Sequence, residues 1–406
     1  MHAVLPPLND VALRGDQELG QPAGSRPINV CFVIDELRTG GTETQLLRMI
    51  ASFDSRRVRP HLCLLDGTSE ASRRLEPITC PVIRLGVRKL LSATAIRQAR
   101  RFCRTLKSWK IDLVQVHFPD STYFGVAAAK WAGAPCIVRT RRDLFYWVTP
   151  VQRRWGRLLD QCYNRWWVDA MVVNSAAVKE AALDQERPAP ARIEMIPNGL
   201  DVAAYRRTDS SDPPRRSPRI GMLAMLRPEK RVDVFIEAAR LVAARRPDVT
   251  FHIAGDGPER SRAEALIHQA ALTQQVQLLG PIADVPGFLA DLDVAVLCSD
   301  TEGLSNAILE YMAAGLPIVA TAVGGNLELL EHRRTAWLVP PGDAAALADA
   351  VVEILGDADL RQRLGLSAQR VVAAEFDVRA VAGRFQDLYA DLVRAAARRG
   401  RRSPRL

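Results

Sequence analysis

Residues 294–330 read VAVLCSDTEGLSNAILEYMAAGLPIVATAVGGNLELL, a segment in which predicted strands alternate with predicted helices. Val294–Cys298 is a short apolar run typical of a buried parallel strand, and a polar turn leads from it into Leu304–Ala314, whose apolar positions have helical spacing. A second buried strand is predicted at Ile318–Thr321, and Gly324-Gly325 then opens another loop into a helix. Two strand-to-helix loops therefore lie side by side at the carboxyl ends of strands, where doubly wound sheets bind ligands.

The loop and helix at 299–310 offer a ligand a specific set of groups. A helix that begins near Ser305 presents unpaired backbone N–H groups and the positive end of its dipole, which suits a phosphate or diphosphate. Glu302 lies just before that helix and Glu310 about two turns inside it, so both can face one bound molecule. A carboxylate beside a phosphate is costly unless hydroxyl groups donate to it, and sugars supply hydroxyls. The pattern therefore indicates a nucleotide sugar; the alternative is that both glutamates are merely solvated.

The segment EGLSNAILEYMAAGLPIVAT, followed by VGGNLELL, closely resembles the Glu-x7-Glu donor site of family-four glycosyltransferases of the GT-B fold. The resemblance implies that Glu302 contacts the transferred sugar and that Glu310 holds the nucleotide ribose. It also implies that the diphosphate binds to the backbone at the start of the helix. The donor-binding residues that follow from this are Gly303, Leu304, Ser305 and Asn306.

Two further loops in the second half match the family in part. In the family, the loop here at Met225–Lys230 carries an arginine and a lysine that clamp the donor diphosphate, and Lys230 matches the lysine. Met225 occupies the place of the arginine, so Arg227 is predicted as a substitute that reaches the same phosphates. The alternative is that Arg227 points to solvent. A tight turn in GDGP adds Gly255 and Gly257 to the predicted donor site.

Three short segments of the first half are predicted at strand ends on the acceptor side. Gly40-Gly41 precedes a helix, and GGTETQLLRMI resembles the acceptor-side glycine loop of the family. His117 ends a predicted strand and is interpreted either as a polar contact to donor or acceptor or as a structural residue. In many family members the loop here at Thr140-Arg141-Arg142-Asp143 carries a histidine near the reacting sugar. Arg142 stands nearest that place; it can donate to a phosphate or sugar oxygen but cannot shuttle a proton at neutral pH.

The resemblance covers roughly residues 28–395 and implies an α/β chain with two Rossmann-like domains that face each other across a cleft. The last helix is expected to cross back to the N-terminal domain. The predicted divisions are a disordered extension at 1–27, an acceptor domain at 28–204, a linker at 205–218, a nucleotide-sugar domain at 219–375, the crossover helix at 376–395 and a disordered basic tail at 396–406.

Composition and charge limit the partners and the location. The chain has 406 residues, 48% hydrophobic and 25% charged, as in a soluble globular protein, with no apolar run long enough to span a membrane. Seven scattered cysteines without a C-x-x-C pair indicate reduced thiols, and the N-terminal extension lacks the features of a signal peptide. The expected location is therefore cytoplasmic, with peripheral contact to the inner face of the plasma membrane as a further hypothesis.

The net charge of +9 predicts a polyanionic partner. Nucleic acid is not expected, because no finger, helix-turn-helix or RNP pattern accompanies the charge. Trp and Arg at helical spacing between Phe145 and Trp167 suit an anionic membrane surface, an acceptor cleft or ordinary packing.

The predicted reaction is sugar transfer from a nucleoside diphosphate sugar to an acceptor hydroxyl in the assembly of an extracellular or lipid-linked polysaccharide. Retention at the anomeric carbon is implied by the resemblance alone. Glu302, Lys230 and Arg227 are the predicted catalytic residues, and neither a cofactor nor a metal ion is expected, since the cations and the helix start can stabilise the leaving diphosphate. The alternatives are a catalytically silent GT-B protein that binds sugar nucleotides and a nucleotide-sugar epimerase of the same fold.

Overall fold

The computed structural model describes residues 26–38, 40–144, 150–186, 192–205 and 217–402. Most of the predicted N-terminal extension and linker, and the start of the segment between Phe145 and Trp167, lie outside the described residues. Within the described ranges, no helix combines the length and the apolar character needed to cross a membrane.

The first half of the chain forms a seven-stranded parallel sheet. Its strands are β1 (Ile28–Ile34), β2 (Val58–Leu64), β3 (Val82–Arg84), β4 (Leu113–Val116), β5 (Cys136–Arg141), β6 (Ala170–Val173) and β7 (Arg192–Met195). Its helices are α1 (Gly41–Ser52), α2 (Glu70–Arg74), α3 (Ala93–Ser108), α4 (Pro119–Ala132), α5 (Pro150–Trp166) and α6 (Ala176–Glu186). All seven residues of β1 are buried, because helices cover both faces of a parallel sheet.

The second half forms a six-stranded parallel sheet. Its strands are β8 (Arg219–Leu223), β9 (Thr250–Ala254), β10 (Val276–Gly280), β11 (Val294–Leu297), β12 (Ile318–Thr321) and β13 (Trp337–Val339). Its helices are α7 (Val232–Arg245), α8 (Arg260–Gln269), α9 (Val285–Ala290), α10 (Asn306–Ala313), α11 (Asn326–Leu329), α12 (Ala344–Gly356), α13 (Ala358–Glu375) and α14 (Val378–Arg402).

Strand order reverses once in each sheet. The orders are β3-β2-β1-β4-β5-β6-β7 and β10-β9-β8-β11-β12-β13, so the reversals fall between β1 and β4 and between β8 and β11. Ligands of open parallel sheets bind in the crevice at such a point, outside the carboxyl ends of the strands. The loops after β1, β4, β8 and β11 are therefore the ones that the fold brings to the cleft.

Helix α14 returns to the N-terminal sheet, as predicted. It packs against α1, and Val381, Phe385 and Leu388 join the core on that face. The Tyr389 hydroxyl donates to Oε1 of Gln115 on β4. The helix continues to Arg402 rather than ending near Ala396, so the first residues of the predicted disordered tail are helical.

Candidate active site

Lys230 and Glu302, distant in sequence, meet at the point where the strand order of the second sheet reverses. Lys230 ends a 3-10 turn after β8, and its Nζ lies 2.6 Å from Oε1 of Glu302, which follows β11. The Ser299 hydroxyl donates to the same carboxylate oxygen at 2.6 Å. The two side chains of the pair are only 21% and 8% exposed. A cation and a carboxylate are thus held together at the mouth of the cleft.

The start of α10 lies beside this pair. The sequence predicts a helix start near Ser305, and Ser305 is the N-cap, with its hydroxyl accepting from the Ile308 N–H at 3.3 Å. The loops after β11 and β12 are adjacent, since the Gly325 N–H donates to the Glu302 carbonyl oxygen at 3.0 Å. A Cβ on Gly325 would lie 1.9 Å from the Gly303 oxygen, so this approach requires glycine.

Glu310 faces the N-terminal domain. Its Oε1 accepts from Arg48 Nη2 on α1 at 3.0 Å and from the Tyr205 hydroxyl at 3.1 Å. Tyr205 lies in the 3-10 turn Val202–Tyr205, which packs in the core around α10. The two glutamates of the Glu-x7-Glu pattern therefore have different partners: Lys230 for the first and Arg48 with Tyr205 for the second.

The Asn306 side chain also bridges the two domains. Its Oδ1 accepts from Gln45 Nε2 at 3.0 Å and from Asn198 Nδ2 at 2.8 Å. Its Nδ2 donates at 3.2 Å to the carbonyl oxygen of Gly41, the first residue of α1. Gly40 is the N-cap of α1. The predicted glycine loop of the N-terminal domain and the predicted donor helix are thus in direct contact.

Arg227 lies on the cleft side of the loop after β8, with its side chain 55% exposed. Burial raises the pKa of Glu43, and desolvation raises that of Asp143, while the positive charge of Arg227 opposes both shifts. Glu43 and Asp143 belong to the N-terminal domain, so Arg227 faces that domain across the cleft.

Gly255 and Gly257 support the loop that carries Arg227. A Cβ on Gly255 would lie 1.9 Å from the Ala224 oxygen, and one on Gly257 would lie 2.4 Å from the Leu226 oxygen. In the absence of a ligand, both predicted donor-binding glycines thus have a packing reason to be glycine.

His117 follows β4, where the strand order of the first sheet reverses. It is 1% exposed, and neither ring nitrogen has a hydrogen-bond partner among the described residues. Burial, together with the smaller effect of the nearby Arg142 charge, lowers the pKa of His117 to about 3, so the ring is neutral at physiological pH. Phe118, the next residue, has a positive φ of 64°, a strained conformation for a side chain of this size.

The two halves of the chain match two family models. Residues 39–204 match the one described as Glycosyltransferase Family 4, and residues 217–357 match the one described as Glycosyl transferases group 1. The chain belongs to glycosyltransferase family 4. The predicted recognition is confirmed, and the family 4 glycosyltransferase is an enzyme that transfers a sugar.

Curated relatives of this family 4 glycosyltransferase are named as sugar transferases. It is 27% identical over 307 residues to UDP-Gal:alpha-D-GlcNAc-diphosphoundecaprenol alpha-1,3-galactosyltransferase of Escherichia coli, across 71% of this chain and 78% of that one. It is 35% identical over 166 residues to alpha-D-kanosaminyltransferase of Streptomyces kanamyceticus, across 40% of this chain and 43% of that one.

Solved structures confirm the predicted GT-B fold. HepE of Anabaena, in complex with UDP and glucose, superposes with a TM-score of 0.77 at 21% identity, over 90% of this chain and 100% of that one. Sucrose-phosphate synthase of Thermosynechococcus elongatus superposes with a TM-score of 0.78 at 20% identity, over 91% of this chain and 100% of that one.

The predicted loop Thr140-Arg141-Arg142-Asp143 of the family 4 glycosyltransferase is shorter than expected. Strand β5 extends to Arg141, so Thr140 and Arg141 are buried strand residues and the loop begins at Arg142. The reason is that Thr140 hydrogen-bonds to Gln115 of the neighbouring strand and Arg141 is paired with Glu186, which satisfies their polar groups inside the domain. Arg142 itself is half-buried beside His117 at the cleft.

Sequence reasoning missed a fully buried ion cluster behind that loop. Arg139 Nη2 lies 3.1 Å from Asp160 Oδ1, and Arg139 Nη1 lies 2.6 Å from Glu186 Oε2. Arg141 Nη1 lies 2.5 Å from Glu186 Oε1, and Arg141 Nη2 donates to the Leu144 carbonyl oxygen at 2.9 Å. The cluster fastens α5, α6 and the start of the cleft loop to β5. Its one signal in the sequence is a pair of alternating arginines in a run otherwise typical of a buried strand.

Asp35 is a second residue that sequence reasoning missed. It follows β1 and accepts hydrogen bonds from the Ser121 backbone N–H at 2.8 Å and from the Ser121 hydroxyl. Burial raises the pKa of Asp35 to about 6, although the Ser121 bonds oppose the shift. The carboxylate thus caps α4 from a neighbouring strand end, close to His117 and Phe118.

Proposed function

We propose that the protein transfers a sugar, with retention and without a metal ion, from a nucleoside diphosphate sugar to a hydroxyl group of a lipid-linked saccharide during polysaccharide assembly. The observation that carries the proposal is the Lys230–Glu302 pair beside the start of α10. The Escherichia coli relative is named for a diphosphoundecaprenol-linked acceptor, which supports a lipid-linked acceptor here.

Lys230, Glu302 and the start of α10 contact different parts of the donor. When the diphosphate binds at the start of α10, the Lys230 ammonium interacts with it, and Glu302 then accepts from hydroxyl groups of the transferred sugar. The bond between the anomeric carbon and the phosphate oxygen breaks, and its electron pair goes to the leaving diphosphate, which Lys230 and the helix dipole stabilise. Arg227 faces the same cleft and adds positive charge there.

The acceptor hydroxyl attacks the anomeric carbon from the same face, and its proton goes to the leaving phosphate oxygen. Gly40, Gly41 and Arg142 form the acceptor side of the cleft, and the buried His117 ring lies beside Arg142. The Arg142 guanidinium offers hydrogen bonds to acceptor oxygens, and neither it nor the neutral His117 ring takes up a proton at neutral pH. The anomeric configuration of the product, determined by NMR, tests retention, and turnover in EDTA tests the absence of a metal requirement.

Titration with UDP, GDP and ADP tests the donor site. We expect the protein to bind one of the three with micromolar affinity and Glu310→Ala to weaken that binding by about 1–3 kcal/mol, the effect of a lost hydrogen bond to a charged group. The control is Glu237→Ala on α7, a half-exposed glutamate paired with Arg240, which should bind like the wild type. If none of the three nucleotides binds to the wild type, the proposed donor site is wrong.

On helix α5, polar side chains face the interior of the domain and apolar side chains face solvent, which is the reverse of the usual arrangement. This feature supports the proposal that the acceptor is associated with a membrane. Asp160 and Asn164 point inward to the buried ion cluster. Leu158, Leu159 and Trp166, at helical spacing, are 48%, 48% and 66% exposed. An exposed apolar stripe on a helix of a folded domain is a docking surface rather than a core face.

The neighbouring helices complete a surface suited to anionic lipid. Helix α3 packs against α4, and α4 meets α5 through the edge-on contact of Tyr123 and Tyr163. Trp131 on α4 is exposed. The basic residues that α3 exposes to solvent are Arg97, Arg100, Arg101, Arg104 and Lys107. Helix α5 begins close to the cleft loop, so a bilayer lying along it would bring the headgroup of a lipid-linked acceptor to the cleft.

Co-sedimentation with lipid vesicles tests this surface. We expect the protein to bind vesicles containing phosphatidylglycerol, and the triple variant Leu158→Ser, Leu159→Ser, Trp166→Ser to bind at least about tenfold less, because each apolar side chain contributes roughly 1.5–3 kcal/mol when buried. The control is Leu366→Ser, a comparably exposed leucine on α13 of the other domain. Equal binding of the triple variant and the wild type would contradict the proposal.

A further inference from the structure

We propose that Arg48 is a positioning residue that couples occupancy of the donor ribose site to closure of the two domains. The inference rests on the proposed role of Glu310 as the ribose contact. Arg48 belongs to α1 of the N-terminal domain, whereas Glu310 belongs to α10 of the other domain, 262 residues further along the chain. Arg48 acts through Glu310 and need not touch the donor.

The two oxygens of the Glu310 carboxylate differ in their hydrogen bonds. Arg48 Nη2, at 3.0 Å, and the Tyr205 hydroxyl, at 3.1 Å, both donate to Oε1. Oε2 takes no hydrogen bond from the residues that the structure describes. Because a carboxylate oxygen pair can accept from several donors at once, Oε1 can hold the N-terminal domain while Oε2 accepts from a ribose hydroxyl.

The Arg48–Glu310 ion pair is largely shielded from solvent. The Arg48 and Glu310 side chains are 25% and 10% exposed, so the attraction is less screened than in a surface pair. With its side chain fixed by two donors, Glu310 loses less conformational freedom when the ribose binds. Tyr205, next to both charges, adds a hydrogen bond from the 3-10 turn Val202–Tyr205, and its own oxygen lies 3.2 Å from Arg48 Nη2.

Further hydrogen bonds join α1 and α10 beside the Arg48–Glu310 pair. One turn before Glu310, Asn306 is bonded to Gln45 and to the Gly41 carbonyl oxygen of α1. Separation of the domains would break these bonds and the Arg48–Glu310 pair together. If the ribose binds more tightly when Arg48 orients the Glu310 carboxylate, ribose binding favours the closed arrangement of the two domains. By thermodynamic linkage, domain closure then strengthens ribose binding by the same factor.

Ribose discrimination is the readout, because a purely structural role of Arg48 would not change it. The ratio of the Kd values for 2′-deoxy-UDP and UDP, or for the matching guanosine or adenosine pair if that base binds, measures the contribution of one ribose hydroxyl. We expect a ratio of about ten or more for the wild type, the effect of one hydrogen bond to a charged group, and near one for Glu310→Ala. Arg48→Met should lower the ratio at least threefold, and Tyr205→Phe should lower it less.

Two further variants complete the test. Arg57→Met is the matched control: it removes another arginine near the end of α1, whose Nη2 lies 2.5 Å from Oδ1 of Asp387, and it should keep the wild-type ratio. Arg48→Lys keeps the charge and should recover part of the ratio. If Arg48→Met fails to fold, the Kd ratios of Arg48→Lys and Tyr205→Phe test the proposal instead. A wild-type Kd ratio in both variants would overturn it.

The outcomes separate the inference from the function on which it rests. If Glu310→Ala loses discrimination while Arg48→Met keeps the wild-type ratio, the coupling is wrong and the ribose site stands. If the wild type and Glu310→Ala discriminate equally, the proposed ribose contact itself is wrong, and the coupling fails with it.

Discussion

The variant Lys230→Met is expected to lower kcat by about 10²–10³-fold, the usual effect of removing one group that stabilises charge developing in a transition state. Lys230 Nζ lies 2.6 Å from Glu302 Oε1, so the substitution also leaves a nearly buried carboxylate without its cation beside the incoming diphosphate. KM for the donor should therefore rise as well, but kcat should change more, because charge on the diphosphate grows as the glycosidic bond breaks.

The rate of nucleoside diphosphate release with saturating donor and acceptor measures this effect. Lys179→Met, at an exposed lysine on α6, is the control and should retain wild-type kcat. Arg227→Met should fall between the two, since the Arg227 side chain is 55% exposed and its Nη1 lies 4.0 Å from Oε1 of Glu229. A Lys230→Met enzyme with more than a tenth of the wild-type kcat would contradict the proposed role.

The variant Arg139→Met is expected to lower the free energy of unfolding of the N-terminal domain by about 3–5 kcal/mol. Arg139 is fully buried and neutralises Asp160 and Glu186 at 3.1 Å and 2.6 Å. Its removal takes away the cation that lies beside both of these buried carboxylates. Six of the seven tryptophans precede residue 200, so urea unfolding followed by tryptophan fluorescence reports mainly on this domain.

Two comparisons make the stability prediction specific. Arg56→Met removes a well-exposed arginine paired with Asp54 and should cost less than about 0.5 kcal/mol. Adding Asp160→Asn to Arg139→Met removes one of the stranded charges and should recover part of the loss. A loss below about 1 kcal/mol for Arg139→Met would show that the cluster contributes little to stability.

The same cluster predicts the sign of a pH effect. Burial raises the pKa of Asp160 to about 6, and the charge of Arg139 is the largest influence that opposes this shift. When the pKa of a carboxyl group is higher in the folded state than in the unfolded state, the folded protein loses stability as the pH rises from the unfolded-state pKa to the folded-state pKa. Without Arg139 the folded-state pKa rises further, so the deficit of Arg139→Met relative to the wild type should be smaller at pH 5 than at pH 8.

The pattern of residues 294–330 was enough to predict strands, helix start and adjacent loops. The structure has β11, α10 and β12 there, with Ser305 as the N-cap. Such features are local: a strand buried on both faces must be continuously apolar, and a helix start needs a side-chain acceptor for its free N–H groups. The order of the elements then determines where strand order reverses and which loops reach the cleft.

The partners of the polar side chains were decided by the tertiary structure alone. Sequence predicted that Arg141 belongs to a cleft loop, whereas its pairing with Glu186 draws it into β5. Arg48 belongs to a helix that the sequence did predict, but nothing near it in the chain indicates a contact with Glu310.

Sequence patterns were therefore enough to predict the two sheets and their loops, because hydrophobic periodicity and turn chemistry act between near neighbours, and the resemblance of the Glu-x7-Glu segment was enough to indicate the family. The tertiary structure decided which charges meet: Lys230 with Glu302, Arg48 with Glu310, and Arg139 with Asp160 and Glu186. Electrostatic contacts depend on distance and burial in space, and residues far apart in the chain acquire both only after the sheets have packed.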